Sequence, residues 1–140
     1  MGAAVVVAGL AFGLVVALGV GEDDRGRSLT PETVEAGQCV DVAEQGGRLD
    51  LTEADCDRPH DAEVVLTTVY ADAYAETTDL ADAEKVCTGL LEPADLDRLE
   101  AYEGDLSWAL LIDEPSNVDS TDRLVCYVED PEAPLTASLL

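Results

Sequence analysis

The chain has 140 residues, with 31 Asp or Glu against 7 Lys or Arg, a formal net charge of -24 and a sequence pI near 4.1. This balance excludes a nucleic-acid binder, which needs a basic footprint to neutralise phosphates, and it disfavours docking onto anionic lipid headgroups. At 47% hydrophobic residues the chain is too apolar for a disordered acidic tail, and its length fits one ordinary domain.

Residues 1–21 contain no Asp, Glu, Lys or Arg. About 20 helical residues reach roughly 30 Å, the thickness of a hydrocarbon core, so this run is expected to be a transmembrane anchor. Gly2, Gly9, Gly13 and Gly19 would be costly in a water-exposed helix and are tolerated in lipid, and the Gly9–Gly13 spacing suits close packing of two such helices. The alternative is a cleaved secretory signal, whose apolar core spans about 7–15 residues behind a basic start. This run is longer and has no basic start, and Ala17-Leu18-Gly19 makes a poor cleavage site. The missing basic residues lead to the expectation that the natural start lies upstream of Met1. Only Arg25 and Arg27 flank the run; the basic-residue rule taken alone would leave the remainder in the cytoplasm.

Residues 22–33 read as a polar tether, with the domain proper over 34–140. Strands are predicted over 34–42, 48–55, 63–70, 106–112 and 123–128, from their alternation and β-branched content. Residues 44–47 form a turn between the first two, and Pro59 breaks the chain after the second. Residues 72–78 are a loop. A helix is predicted over 79–91, with Asp79 as N-cap and Leu80, Ala83, Cys87 and Leu90 on one face, which turns Cys87 inward. Pro93 opens a short second helix carrying Leu96, Leu99 and Tyr102. Residues 135–139 are a candidate edge strand. The expected fold is therefore an N-terminal transmembrane helix followed by one small α+β domain, disulfide-stapled, of about five mainly antiparallel strands and one or two helices. Its core contains no Phe, because Phe12 lies in the anchor, and Trp108 is expected to serve as core.

Cys39, Cys56, Cys87 and Cys126 all follow the anchor, an even count that points to two disulfides in an oxidising, extracytoplasmic compartment. Three pairings are possible. Cys39–Cys56, closing a short local loop, and Cys87–Cys126, tying the helix to the last strand, are preferred. The wide spacing contains no Cys-x-x-Cys pair, which speaks against a redox or zinc-ribbon motif.

Val34-Glu-Ala-Gly37-Gln-Cys39-Val40 and Cys56-Asp-Arg-Pro59-His60-Asp61-Ala-Glu63-Val64 resemble, respectively, the opening and the most recognisable motif of the actinobacterial septum-formation domain family. Asp122-Arg123-Leu-Val-Cys126 and Leu135-Thr-Ala-Ser138-Leu139 are similar to its closing strand and tail; Gln38 and Ala137 depart from its pattern. The resemblance implies a single-pass cell-membrane protein with an extracytoplasmic domain, in the context of cell division.

His60 is the only histidine. Beside Asp61 and Glu63 it is a candidate general base or ligand, with Asp61 and Glu63 expected on the same side of the following strand. No nucleophile neighbours it, and zinc would need the cysteines that disulfides already use, so Pro59, His60, Asp61 and Glu63 are expected to be a structural or ligand-contact motif. The run from Asp113 to Asp122 offers hard oxygen ligands but lacks the glycine turn and terminal Glu of an EF-hand loop. No catalytic residue, metal or cofactor is therefore assigned. The expected function is non-enzymatic interaction with an envelope or division protein that presents a basic face. The alternatives are a small envelope hydrolase using His60 and Asp61, or the sensor domain of a larger membrane protein.

Overall fold

Two consecutive glycines fix the first hairpin. Gly46 and Gly47 have φ of 60° and 80°, the left-handed region that two-residue hairpin loops require and side chains resist. They join β2 (Cys39–Gln45) to β3 (Arg48–Ala54), which pair antiparallel along their whole length, from Cys39 with Ala54 to Gln45 with Arg48. The computed structural model describes residues 26–70, 81–112 and 117–140. The expected anchor over 1–21, the loop over 72–78, and Asp79 and Leu80 of the expected helix start lie outside the described residues. Among those described, no helix is long and apolar enough to cross a membrane.

One six-stranded antiparallel sheet forms, in the order β1-β3-β2-β4-β6-β5. The remaining strands are β1 (Ser28–Leu29), β4 (Ala62–Val69), β5 (Ser107–Ile112) and β6 (Arg123–Glu129). The sixth strand, β1, arises within residues read as tether: Leu29 pairs with Leu51 and is buried. The first strand of the sequence reading, 34–42, is displaced to begin at Cys39. Val34 is instead held in a turn by its N–H to the Thr30 carbonyl, and Gly37 takes φ 88°, which ends any extended run there. Arg123 of β6 donates to the carbonyls of Glu32 and Val34, tying this turn across the sheet.

Among the described residues there are two helices, α1 (Ala83–Leu90) and α2 (Pro93–Glu100), the second ending at its C-cap Ala101, before the Tyr102 expected on it. The N-cap of α1 is Asp82, whose carboxylate accepts the Lys85 N–H, rather than Asp79. Pro93 stands in the first turn of α2, where its missing N–H costs nothing.

The sheet is apolar on both faces, and each face has its own core. Val65, Leu124, Cys126 and Val128 pack against Val86, Cys87 and Leu91 of the α1 segment and Leu99 of α2, with Trp108 packed against the same cluster. Val40, Leu51, Val64, Val125 and Tyr127 form the other core, closed by Leu29 and Val34. Burial on both faces explains why β4 and β6 read as nearly continuous hydrophobic runs. Val64 and Val65 enter opposite cores by ordinary strand alternation, and the bulge between Val64 and Leu66 lets Leu66 join Val65 on the helix side.

Both preferred cysteine pairs are closed. Cys39–Cys56 links the start of β2 to the loop after β3, with Cα atoms 5.3 Å apart, and Cys87–Cys126 links α1 to β6, with Cα atoms 5.9 Å apart. Residues 135–139 do not form the edge strand expected of them. Only Leu135 pairs, in an isolated bridge with His60.

Candidate functional site

The motif from Cys56 to Glu63 comes together at the place where β2 leaves β4. These two strands pair only through Cys39 with Glu63 and Val40 with Ala62, and beyond them the hairpin diverges. Asp61 fills the gap. Its carboxylate accepts the Val42 N–H at 2.9 Å, while its own N–H donates to the Asp41 carboxylate at 3.3 Å. Upstream, Asp55 caps the turn that carries Cys56, accepting the Asp57 N–H on its side chain and the Arg58 N–H on its carbonyl. Pro59 then leads the chain, exposed, into His60.

His60 is 1% exposed. Its backbone exchanges both hydrogen bonds with Leu135, at 3.0 and 2.9 Å. Its Nδ1 lies 2.7 Å from the Arg58 carbonyl, which can only accept, so Nδ1 carries a hydrogen, and in the neutral ring Nε2 is the nitrogen with the lone pair. Nε2 is buried and has no hydrogen-bond partner.

Glu63 is fully buried. The expectation that it shares a side of the strand with Asp61 is corrected: β4 starts at Ala62, so Asp61 lies before the strand and turns sideways to β2, while Glu63 points under the C-terminal tail. Oε1 accepts from Ser138 Oγ and the Leu140 N–H, both at 3.1 Å, and Oε2 accepts from the Leu139 N–H at 2.6 Å. Three donors to one carboxylate satisfy most of what a buried charge needs. Oε2 also lies 3.9 Å from Cys39 Sγ, a contact only, since that sulfur is in a disulfide and has no hydrogen to give. One ligand-type atom from each of Cys39, His60 and Glu63 lies within 4.8 Å of the others, and all three residues are buried. The motif is thus a clasp: the disulfide fixes the loop, His60 pairs with the tail at Leu135, and Glu63 binds the tail again at residues 138–140.

The clasp was partly missed in the sequence reading. An acid at the head of a β-branched run was the available signal that the Glu63 carboxylate is held by specific donors. The donors themselves, two backbone amides and a serine 75 to 77 residues away, leave no local trace.

Outside the clasp lies an open cleft of about 750 Å³ between the β2–β3 hairpin and the segment after β6. Val42, Leu49 and Tyr127 give it an apolar floor, and Glu44, Asp61, Glu129, Asp130 and Glu132 supply carboxylates with no Lys or Arg among its lining residues. Leu49 is the exposed large hydrophobic of the described residues, at 40%. The Asp130 carboxyl is held below its ordinary range by the Glu132 N–H and by the Tyr102 hydroxyl, which donates to it at 2.7 Å. That same hydrogen bond raises Tyr102, and burial followed by the Glu129 charge raises Tyr127. In the acidic loop, Asp119 is lowered by the Thr121 hydroxyl and backbone N–H and accepts both itself, an Asx turn in which the carboxylate is already engaged. Asp113 lies outside the described residues.

Comparison with protein-family models, with curated proteins and with solved structures found no match to this chain.

Proposed function

We propose that the chain is a membrane-tethered, extracytoplasmic interaction domain of septum-formation type, non-enzymatic, which holds a basic envelope or division protein. The observation that carries this reading is the internal use of the motif most suggestive of chemistry. Cys39 and Cys56 are bonded to each other, Glu63 is occupied by the tail, and His60 is shut from solvent. A hydrolase built on His60 and Asp61 would need the ring and the carboxylate to face a common substrate. Instead, Asp61 is exposed and bound to the β2 backbone.

What the chain offers to solvent is charge. The cleft combines carboxylates with an apolar floor, which suits a segment carrying Lys or Arg on aliphatic stems: the stem covers Leu49 and Val42 while the head meets the rim. Two closed disulfides support an oxidising compartment, and the apolar run over 1–21 supports a tether. A photoreactive residue placed at Leu49 tests this in living cells. Crosslinks to an envelope protein with a basic contact face are expected, and they should fall several-fold when Glu44, Glu129 and Glu132 are all changed to Gln. Crosslinking indifferent to those three charges, or absent from a folded domain, overturns the reading.

A further inference from the structure

The clasp holds an arrangement that its structural role leaves unexplained. His60 donates Nδ1–H to a backbone carbonyl and aims a bare Nε2 into the protein interior. That is the orientation of a metal-ligating histidine, whose second nitrogen is typically anchored to a carbonyl or carboxylate. Glu63 is also not saturated. A carboxylate has about four lone-pair sites; Oε1 uses two and Oε2 only one, which leaves a site on the oxygen that lies 3.9 Å from Cys39 Sγ. Cys39 and a ring nitrogen of His60 complete a set of ligand-type atoms within 4.8 Å of one another, and Cys56 Sγ is bonded directly to Cys39 Sγ.

We propose that reduction of the Cys39–Cys56 disulfide converts this clasp into a tetrahedral zinc site, with the thiolates of Cys39 and Cys56, His60 Nε2 and Glu63 Oε2 as ligands. Disulfide sulfurs carry no charge and bind Zn²⁺ poorly, so the oxidised protein offers only two ligands. A dithiol reductant opens the pair by thiol–disulfide exchange. The Cys39–Cys56 S–S bond breaks, two electrons and two protons pass from the dithiol to the two sulfurs, and the dithiol closes to its own disulfide. Zinc then binds both sulfurs as thiolates and releases their two protons to water. Tetrahedral zinc sites place ligand atoms about 3.3–3.8 Å apart, so the two sulfurs, bonded to each other in the oxidised form, must separate by roughly 2 Å, while the Cys39, His60 and Glu63 atoms, now within 4.8 Å, must close by up to about 1 Å.

Selectivity between the two disulfides follows from access. Exchange requires a thiolate to reach a sulfur, and Cys56 is half-exposed, whereas Cys87 and Cys126 are fully buried between helix and sheet. The site therefore answers to redox conditions while the second staple holds the fold. The proposal does not depend on the partner assigned above, because it concerns the buried side of the motif and not the cleft.

The test uses the full chain in detergent micelles, with Co²⁺ as spectroscopic probe and a phosphine as reductant. The oxidised protein is expected to bind no cobalt at the site. After reduction, one Co²⁺ per chain should bind with thiolate charge-transfer absorption and the intense visible bands of tetrahedral geometry, and Zn²⁺ should bleach both. His60→Gln should weaken the affinity by about tenfold or more. An independent readout needs no variant: in the reduced wild type, Zn²⁺ should slow alkylation of Cys39 and Cys56 by about tenfold or more. A reduced chain that takes up no cobalt, an octahedral spectrum, a His60→Gln variant that binds as tightly as wild type, or alkylation unchanged by zinc each overturns the proposal.

Discussion

Glu63 shows how one side chain can hold two ends of a chain together. Its carboxylate is buried on a central strand and bound by three donors from residues 138–140. Glu63→Gln keeps the shape but turns an NH₂ group towards donors that need an acceptor, so a loss of about 2–3 kcal/mol is expected in urea unfolding. The Leu139 and Leu140 amides should lose hydrogen-exchange protection at the same time. An unchanged midpoint would mean that the tail is not held this way. Tyr127 sets a second expectation. Its folded-state pKa is raised, by burial and then by Glu129. A raised value stabilises the fold fully below the ordinary tyrosine pKa of about 10, and this contribution disappears as pH climbs through it towards the folded value. Tyr127→Phe should therefore flatten the alkaline limb of a stability–pH curve; a limb of unchanged steepness would contradict this. Asp130 and Asp119 act with the opposite sign. Their lowered values contribute above the ordinary carboxylate range and are lost as pH falls through the folded values. At this scale the sequence displayed the participants, with His60, Asp61 and Glu63 set in a row, but not their separation. Alternation places Asp61 beside Glu63 only if the strand already includes both, and the strand begins between them.

Elements at the N-terminal end are placed by backbone requirements more than by hydrophobic pattern. Gly26 approaches β3 so closely that a Cβ there would collide with the Glu53 carbonyl, next to the hydrogen bond from the Glu53 N–H to the Arg27 carbonyl. Gly26→Ala should therefore unpair β1, seen as loss of exchange protection at the Glu53 amide while the β4–β6 amides stay protected. Retained protection at Glu53 would show that the edge tolerates the methyl group. Such a short strand could not be read in advance, because two residues, Ser28 and Leu29, carry no period. The displaced start of β2 has a related cause: Val34 looks like the first residue of a strand, but it is buried through a turn. By contrast β4, β5, β6 and the hairpin turn were legible because β-branched runs and paired glycines act through neighbouring residues alone.

For the whole molecule, two staples close loops of different size, and each restrains a different region. Chain-entropy arguments assign about 3 kcal/mol to Cys39–Cys56, with a sequence separation of 17, and about 4 kcal/mol to Cys87–Cys126, with 39. Replacing Cys87 and Cys126 together by Ser should thus cost more stability than replacing Cys39 and Cys56, as measured by denaturant midpoints; the reverse order would contradict the assignment of the core staple. The α+β class, the antiparallel sheet and both cysteine pairings could be read from composition and spacing. The return of the tail to β4 could not, since it depends on contacts across more than seventy residues.

The proposed setting, an acidic module stapled shut on the outer side of the cell membrane, is tested most directly by thiol labelling of intact cells with a maleimide that cannot cross the bilayer. The account predicts no label before reduction and label after treatment with an equally impermeant reductant. Label acquired without reductant would contradict the closed disulfides, and label acquired only after lysis would contradict the location.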